Sequence, residues 1–259
     1  KDDDLVIGTY GRSFWILDVI TPLRQLSAQL VPQSVILYKP QASYRVRWNM
    51  NTDTPLPQEE PAGQNPPDGA IINYYLKEKI SGEISLEILD VKGKSIRNYS
   101  SNDQPYEIPA VNIPHYWIRP QQILSATAGS HRFTWDMKYA PLDVPAIYPI
   151  AATYMNTAPD QTSPWVMPGT YTLKLSVNGN IYSQALTVKI DPRVKTSRAD
   201  LQKQHDLSVQ CYEGRIECMR LIKEIRAFRS MLQSQLTSAE NSVAQRLSPL
   251  EKQAGQLEN

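Results

Sequence analysis

Apolar and polar residues alternate with a period of two through most of the first 190 positions, and near residue 196 the pattern changes to a helical one. The first run, LVIGTYGRSFWILD at 5–18, predicts a tight β-hairpin: an apolar strand, a glycine-bounded turn and a second apolar strand with two aromatics. ITPLRQL follows, where Thr21 is placed to cap a short helix and Pro22 to take its first position; SVILYKP then predicts a strand. Between 41 and 192 the strand signals multiply. SYRVRW alternates. GAIINYYLK is a mostly apolar run, as expected of a strand buried on both sides or in a sandwich core. EISLEILD and KSIRNYSS form a hairpin in which Ile84, Leu86 and Ile88 share a face, and HRFTWDMKY puts Phe133 and Trp135 on one face. In GTYTLKLSVNGNIYSQALTVKID, Tyr171, Leu173, Leu175 and Val177 alternate with polar residues, and Asn178-Gly179 supplies the positive φ angles of a tight type I′ turn. Seven or eight short strands predict a β-sandwich, interrupted by proline-rich surface loops at 51–68, 102–122 and 140–168.

From about 196 the period is helical. TSRAD offers a Ser or Thr cap with an acid in the first turn, and Leu207, Cys211, Cys218, Ile222, Ile225 and Leu232 fall on one stripe. TSAE at 237–240 reads as a capping box that restarts a helix, whose apolar side is Val243, Leu247 and Leu250, with a kink at Pro249. Two antiparallel helices of unequal length are expected, and the stripe is read as a packing seam that can pair helices within one copy or between two. The chain therefore divides into a hairpin and connector at 1–40, a sandwich at 41–192 and a helical hairpin at 193–259.

Composition narrows the function classes. Twenty-seven basic side chains against 26 acidic ones leave no clustered positive charge of the kind that grips nucleic acid. No apolar run approaches the ~20 residues of a membrane helix. Cys211 and Cys218 lie seven residues apart, roughly 10 Å along one helix face, too far for a disulfide with each other. They are expected to be small buried apolar residues, and His205, six positions before Cys211, is at the wrong spacing to complete a metal site.

Chemistry-bearing residues do not assemble into a recognisable set. The acidic run at Asp2, Asp3 and Asp4 lacks the spaced ligands and turn glycine of a calcium loop and reads as a solvated strand edge. Glu59, Glu60 and Asp136 are not placed as a glycosidase pair by any spacing. His115, His131 and His205 have no nucleophile elbow beside them. Neither a phosphate-cradling loop nor a dinucleotide fingerprint is present, and no catalytic residue, metal or cofactor is expected. The aromatic loops are the candidate binding residues: Tyr116, Trp117 and Arg119 in one insertion, Tyr148, Tyr154 and Trp165 in another. Exposed aromatics with a nearby Arg stack on sugar rings or anchor protein contacts; alternatively they fold back and seal the ends of the sandwich.

GTYGRSFWILD, followed by the TPLR helix, resembles the closing blade of bacterial β-propellers of the sortilin-like and BNR-repeat, glycosidase-like type. NPPDGAIINYYLK, ISLEILDVKGKSIRNYSS, GSHRFTWDMKY and the segment from PGTYTLKLSV to DPRVKTS look like the immunoglobulin-like sandwich that follows such propellers, similar to the one in the flagellar hook-capping protein. The family's common form has His at Tyr10 and Asp-Asp at Asp18-Val19. The resemblance implies a mainly β fold with α: an Ig-like, fibronectin-like sandwich, preceded by a propeller-derived hairpin and followed by an antiparallel helical hairpin. It implies that the covering strands of the hairpin lie upstream, in a propeller of the same parent protein, and that the parent is secreted, periplasmic or on the outer surface of a bacterium. The expected function is a non-catalytic accessory or scaffolding module with domain, protein or glycan contacts. The alternatives are part of a secreted glycoside hydrolase with its active site on the propeller, and an oligomerisation module pairing as a homodimer through its helices.

Overall fold

A computed structural model describes residues 3–27, 30, 32–47, 57, 59–60, 68–105, 114–117, 121–142, 163–238 and 240–258, with Trp117 and Ser238 described in backbone only. The described residues form a mixed α/β structure with three sheets and three α-helices, and the chain divides into two compact units, Lys1–Leu201 and Gln202–Asn259.

The first unit opens on β1 (Leu5–Gly8) and β2 (Phe14–Leu17), which among the described residues pair only with each other, Leu5 opposite Leu17 and Gly8 opposite Phe14. A five-residue helix, α1 (Thr21–Gln25), follows. Its cap differs from expectation: Ile20 holds the N-cap position without a side-chain hydrogen bond, and the Thr21 hydroxyl is inside the helix, donating to Asp3 instead.

Two sheets make the body. One is β3 (Val35–Leu37), β5 (Ala70–Leu76) and β8 (Gly129–Trp135), in the order β3-β5-β8. The other is β4 (Ser43–Arg45), β6 (Ile84–Leu89), β7 (Ser95–Ser100), β9 (Gly169–Val177) and β10 (Asn180–Ile190), in the order β4-β10-β9-β6-β7. All neighbours are antiparallel except β4, which runs parallel to the end of β10 with Ser43 opposite Val188. β3 lies inside the 1–40 segment yet belongs to the body through β5.

The two sheets share one core. Ile72, Tyr74, Phe133 and Trp135 from the first meet Ile84, Leu86, Ile88, Leu173, Leu175 and Leu186 from the second. Edge-on ring pairs join the layers, Tyr99 to Phe133 with centroids 4.6 Å apart and Trp135 to Tyr171 at 5.7 Å. Such pairs are worth about 0.5–1.5 kcal/mol beyond area burial. The expected inward faces of β6 and β9 are all buried, as are Phe133 and Trp135. Of the two readings of β5, the strand is not buried on both sides: Ala70, Ile72, Tyr74 and Leu76 face the shared core while Ile71, Asn73 and Tyr75 are only partly buried. Burial raises the Tyr74 hydroxyl to about 12 and moves those of Tyr99 and Tyr171 upward as well. The β9–β10 turn is the expected one, with φ of 49° at Asn178 and 79° at Gly179.

The helices are α2 (Arg198–Ser238) and α3 (Asn241–Glu258). Ser197 and Asp200 cap α2 reciprocally, the Asp200 N–H donating to the Ser197 hydroxyl at 3.1 Å and that hydroxyl to the Asp200 carboxylate at 2.6 Å. The predicted second box is not formed: Thr237 lies within α2 and its hydroxyl donates back to the Gln233 carbonyl at 2.9 Å. α3 is antiparallel to α2, since Arg226 pairs with Glu258 while Gln233, a turn or two later, bonds Glu251. Arg229 reaches both acids. Pro249 sits inside α3. The expected burial of Cys211 and Cys218 is overturned, because both are exposed. Leu207, Val243 and Leu250 are exposed too. A helix with only one neighbour over part of its length leaves the rest of its apolar side in water.

Candidate functional site

The hairpin β1–β2 stands apart from the body in its surface chemistry. A strand sends alternate side chains to opposite faces, so Leu5, Ile7, Trp15 and Leu17 form one face and Val6, Phe14 and Ile16 the other. All seven are exposed, Trp15 at 65% and Phe14 at 80%. An antiparallel pair that faced water on one side would be polar there. This one is apolar on both, which is the pattern of a sheet layer covered above and below. At the tip, Thr9 donates to the Ser13 carbonyl through both its N–H (3.2 Å) and its hydroxyl (2.9 Å), with Gly11 and Ser13 at φ of 72° and 68°.

The base is pinned to α1. The Ile20 N–H donates to the Asp3 carbonyl at 2.6 Å and the Val19 N–H to the Asp4 carboxylate at 2.9 Å. The Asp3 carboxylate accepts from the Thr21 hydroxyl and the Arg24 Nε, both at 2.6 Å. The Thr21 hydrogen bond, with Arg24 adding to it, holds the Asp3 carboxyl below the usual range. The acidic start of the chain, expected to be a solvated edge, is thus in part a latch. Thr21 and Arg24, three apart on one helix face, reach it together.

α1 is fixed to the body in turn. Gln41 donates to the Thr21 hydroxyl at 2.7 Å, Gln25 exchanges two hydrogen bonds with Lys39, and the Arg132 guanidinium donates to the Asp18 carbonyl at 2.7 Å. Polar contacts thus run from the ribbon through α1 to the body. Val19 carries a cost for it: its φ is 57°, a left-handed conformation that β-branched residues rarely adopt.

The aromatic candidates are placed differently. Trp165 is half-buried, bridged to Lys138 through the backbone. The Arg45 guanidinium stands 5.5 Å and the Lys138 ammonium 5.7 Å from its ring centroid. Arg45 also donates to the Val166 carbonyl at 2.7 Å, and desolvation lowers its pKa. Two cations thus stand against the half-buried indole. Tyr116 is partly buried on a short 3₁₀ turn, His115–Trp117. The Trp117 side chain, Arg119, Tyr148 and Tyr154 lie outside the described residues. His131 stacks on Tyr74 with centroids 4.9 Å apart, and Asp136 caps its own turn by accepting from the Lys138 N–H at 3.1 Å.

No group of three or more His, Cys, Asp or Glu side chains is gathered for a metal among the described residues. An open groove of about 460 Å³ along α3 is lined by Asn241, Ala244, Gln245, Ser248 and Pro249, none of them titratable. No described helix is long and apolar enough to cross a membrane. Comparison with family models, with curated proteins and with solved structures finds no match for this chain.

Proposed function

We propose that the chain is a non-catalytic scaffolding module: an Ig-like β-sandwich that holds a strand pair ready to complete a sheet of an adjoining β-propeller in the same parent protein. The observation that carries this reading is the hairpin, apolar on both faces and tied to α1 and the body by the Asp3–Thr21–Arg24 and Gln25–Lys39 contacts. A two-stranded ribbon is marginal alone, so a latch of this kind is useful only if the ribbon is to be delivered to something. The order β3-β5-β8 against β4-β10-β9-β6-β7 supports the Ig-like part, because the connections β5 to β6, β7 to β8 and β8 to β9 pass from one sheet to the other, as connections in such sandwiches do. The resemblance of GTYGRSFWILD to a closing propeller blade supplies the occupant and, with it, the extracytoplasmic location.

Acrylamide quenching tests the reading by comparing the Trp15 signal in this chain and in the full-length parent polypeptide, each against its own Trp15→Phe variant. The expected result is a Trp15 contribution that is quenched freely here and shielded in the longer polypeptide. Equal quenching in both overturns docking. Glycoside turnover by residues 1–259 alone overturns the non-catalytic assignment.

A further inference from the structure

Residues 137–139 and 164–166 form a short antiparallel ladder after β8. The Tyr139 N–H donates to the Pro164 carbonyl at 3.0 Å and the Val166 N–H to the Met137 carbonyl at 2.9 Å. These bonds frame Lys138 and Trp165, which are bridge partners. A pair framed in this way, with no hydrogen bond of its own, brings its side chains closest on an antiparallel ladder. Met137 and Val166 are buried, each at 1% exposure, while Lys138 and Trp165 take the other, half-buried side.

Arg45 reaches the same indole from β4. Ser43, two positions earlier, is opposite the buried Val188, so Arg45 is on the core-facing side of its strand and ends half-buried beside Trp165. The Arg45 guanidinium and the Lys138 ammonium both stand inside the range of about 6 Å at which a cation is drawn to a ring. Arg47 follows two residues after Arg45 and is exposed.

This positive group has no acid. Among the described residues, none of Arg45, Arg47 and Lys138 forms an ion pair with a carboxylate. Arg229, partly buried like Arg45, holds two. The two cations at the indole repel each other, and desolvation already weighs on Arg45. The face of the ring returns part of that cost, and the Val166 carbonyl takes one guanidinium N–H. The counter-charge that partly buried cations ordinarily have is missing. A guanidinium presents its N–H donors in a plane that fits a carboxylate or sulfate, and an ammonium beside it adds a point charge. The indole is an apolar wall against which such bonds gain strength.

We propose that Arg45 and Lys138, beside Trp165, form a binding site for an oxyanion, a carboxylate or sulfate group that is either a free ion or carried on an acidic sugar. The site is separate from the hairpin, and either reading can fail without the other.

Nitrogen–proton NMR of the 259-residue chain tests the site through the Trp165 indole signal, assigned by its loss in Trp165→Phe. Sodium sulfate is titrated against sodium chloride at constant ionic strength. The expected result is a saturable shift of that signal with a midpoint of about 1–10 mM, weakened roughly tenfold in Arg45→Gln and in Lys138→Gln. The Lys138 ammonium makes no hydrogen bond among the described residues, so Lys138→Gln keeps the fold even if loss of the Arg45–Val166 bond disturbs it. A shift that never saturates, that chloride reproduces, or that both charge variants retain in full overturns the proposal. Trigalacturonate separates the two sources. Binding tighter than sulfate, in competition with it, assigns the site to an acidic sugar, and binding no tighter assigns it to the free ion. Neutral maltotriose shifting the signal as strongly as trigalacturonate overturns the charge basis of the site.

Discussion

Gln25 and Lys39 are joined head to tail: the Gln25 amide donates to the Lys39 carbonyl at 2.8 Å and accepts from the Lys39 N–H at 2.9 Å. A side chain that closes two bonds on one backbone unit acts like an added strand residue, and this one ties α1 to the chain entering the body.

Replacing Gln25 by Ala removes both bonds. At this exposed site the loss is about 1 kcal/mol. The Lys39 amide is then expected to exchange hydrogen roughly fivefold faster, with global stability little changed, because the shared core is untouched. Exchange at Lys39 indistinguishable from wild type would show that the clasp does not hold α1.

Gly69 precedes β5 with φ of 136°, and a Cβ there would stand 2.4 Å from the Trp135 carbonyl oxygen. Both the backbone angle and the space require glycine. Gly69→Ala is expected to cost about 3 kcal/mol, a fall in melting temperature of roughly 6–12 °C for a unit of this size. A calorimetric melting temperature within 2 °C of wild type contradicts the contact (that margin is about 1 kcal/mol or less).

Asp191, between β10 and α2, is buried and receives the Arg193 guanidinium at 2.6 Å as well as the Arg193 N–H at 2.9 Å. The hydrogen bonds from Arg193 hold its carboxyl down at about 2, below the ordinary 3.8. A carboxyl with a depressed folded pKa stabilises above its unfolded value, and that contribution is lost as pH falls through the folded one. Asp191→Asn is therefore expected to lower urea stability at pH 7, with the gap to wild type closing between about pH 4 and pH 2. A gap that persists unchanged at pH 2 excludes the ionised carboxylate as its source.

Much of the body was legible because its residues act locally. The alternation at 84–88 and 171–177 and the Asn178-Gly179 turn each fix a strand or a reversal within a few positions, and the core followed from them. Ser197 and Asp200 were readable as a cap for the same reason. What was not legible depends on distant partners. The role of Asp3 needs Thr21 and Arg24 in place. The cation beside Trp165 comes from Arg45, 120 positions earlier, and the water-facing cysteines follow from α3 flanking only part of α2. TSAE misled because Thr237 had a nearer acceptor, the Gln233 carbonyl one turn back. The apolar run of β5 left two readings open because Ile71 and Tyr75 are apolar on a face that is only half shielded.

The paired ribbon at residues 5–17 has a further consequence for the polypeptide in solution. Its outer backbone rims carry amides and carbonyls with no third strand beside them among the described residues, and its greasy sides carry no charge to repel a neighbour. Such a ribbon is a template for stacking on copies of itself. At high concentration, the isolated chain is then prone to grow rim to rim into insoluble assemblies, and a lysine placed at Ile16 is the kind of change that would keep it dispersed.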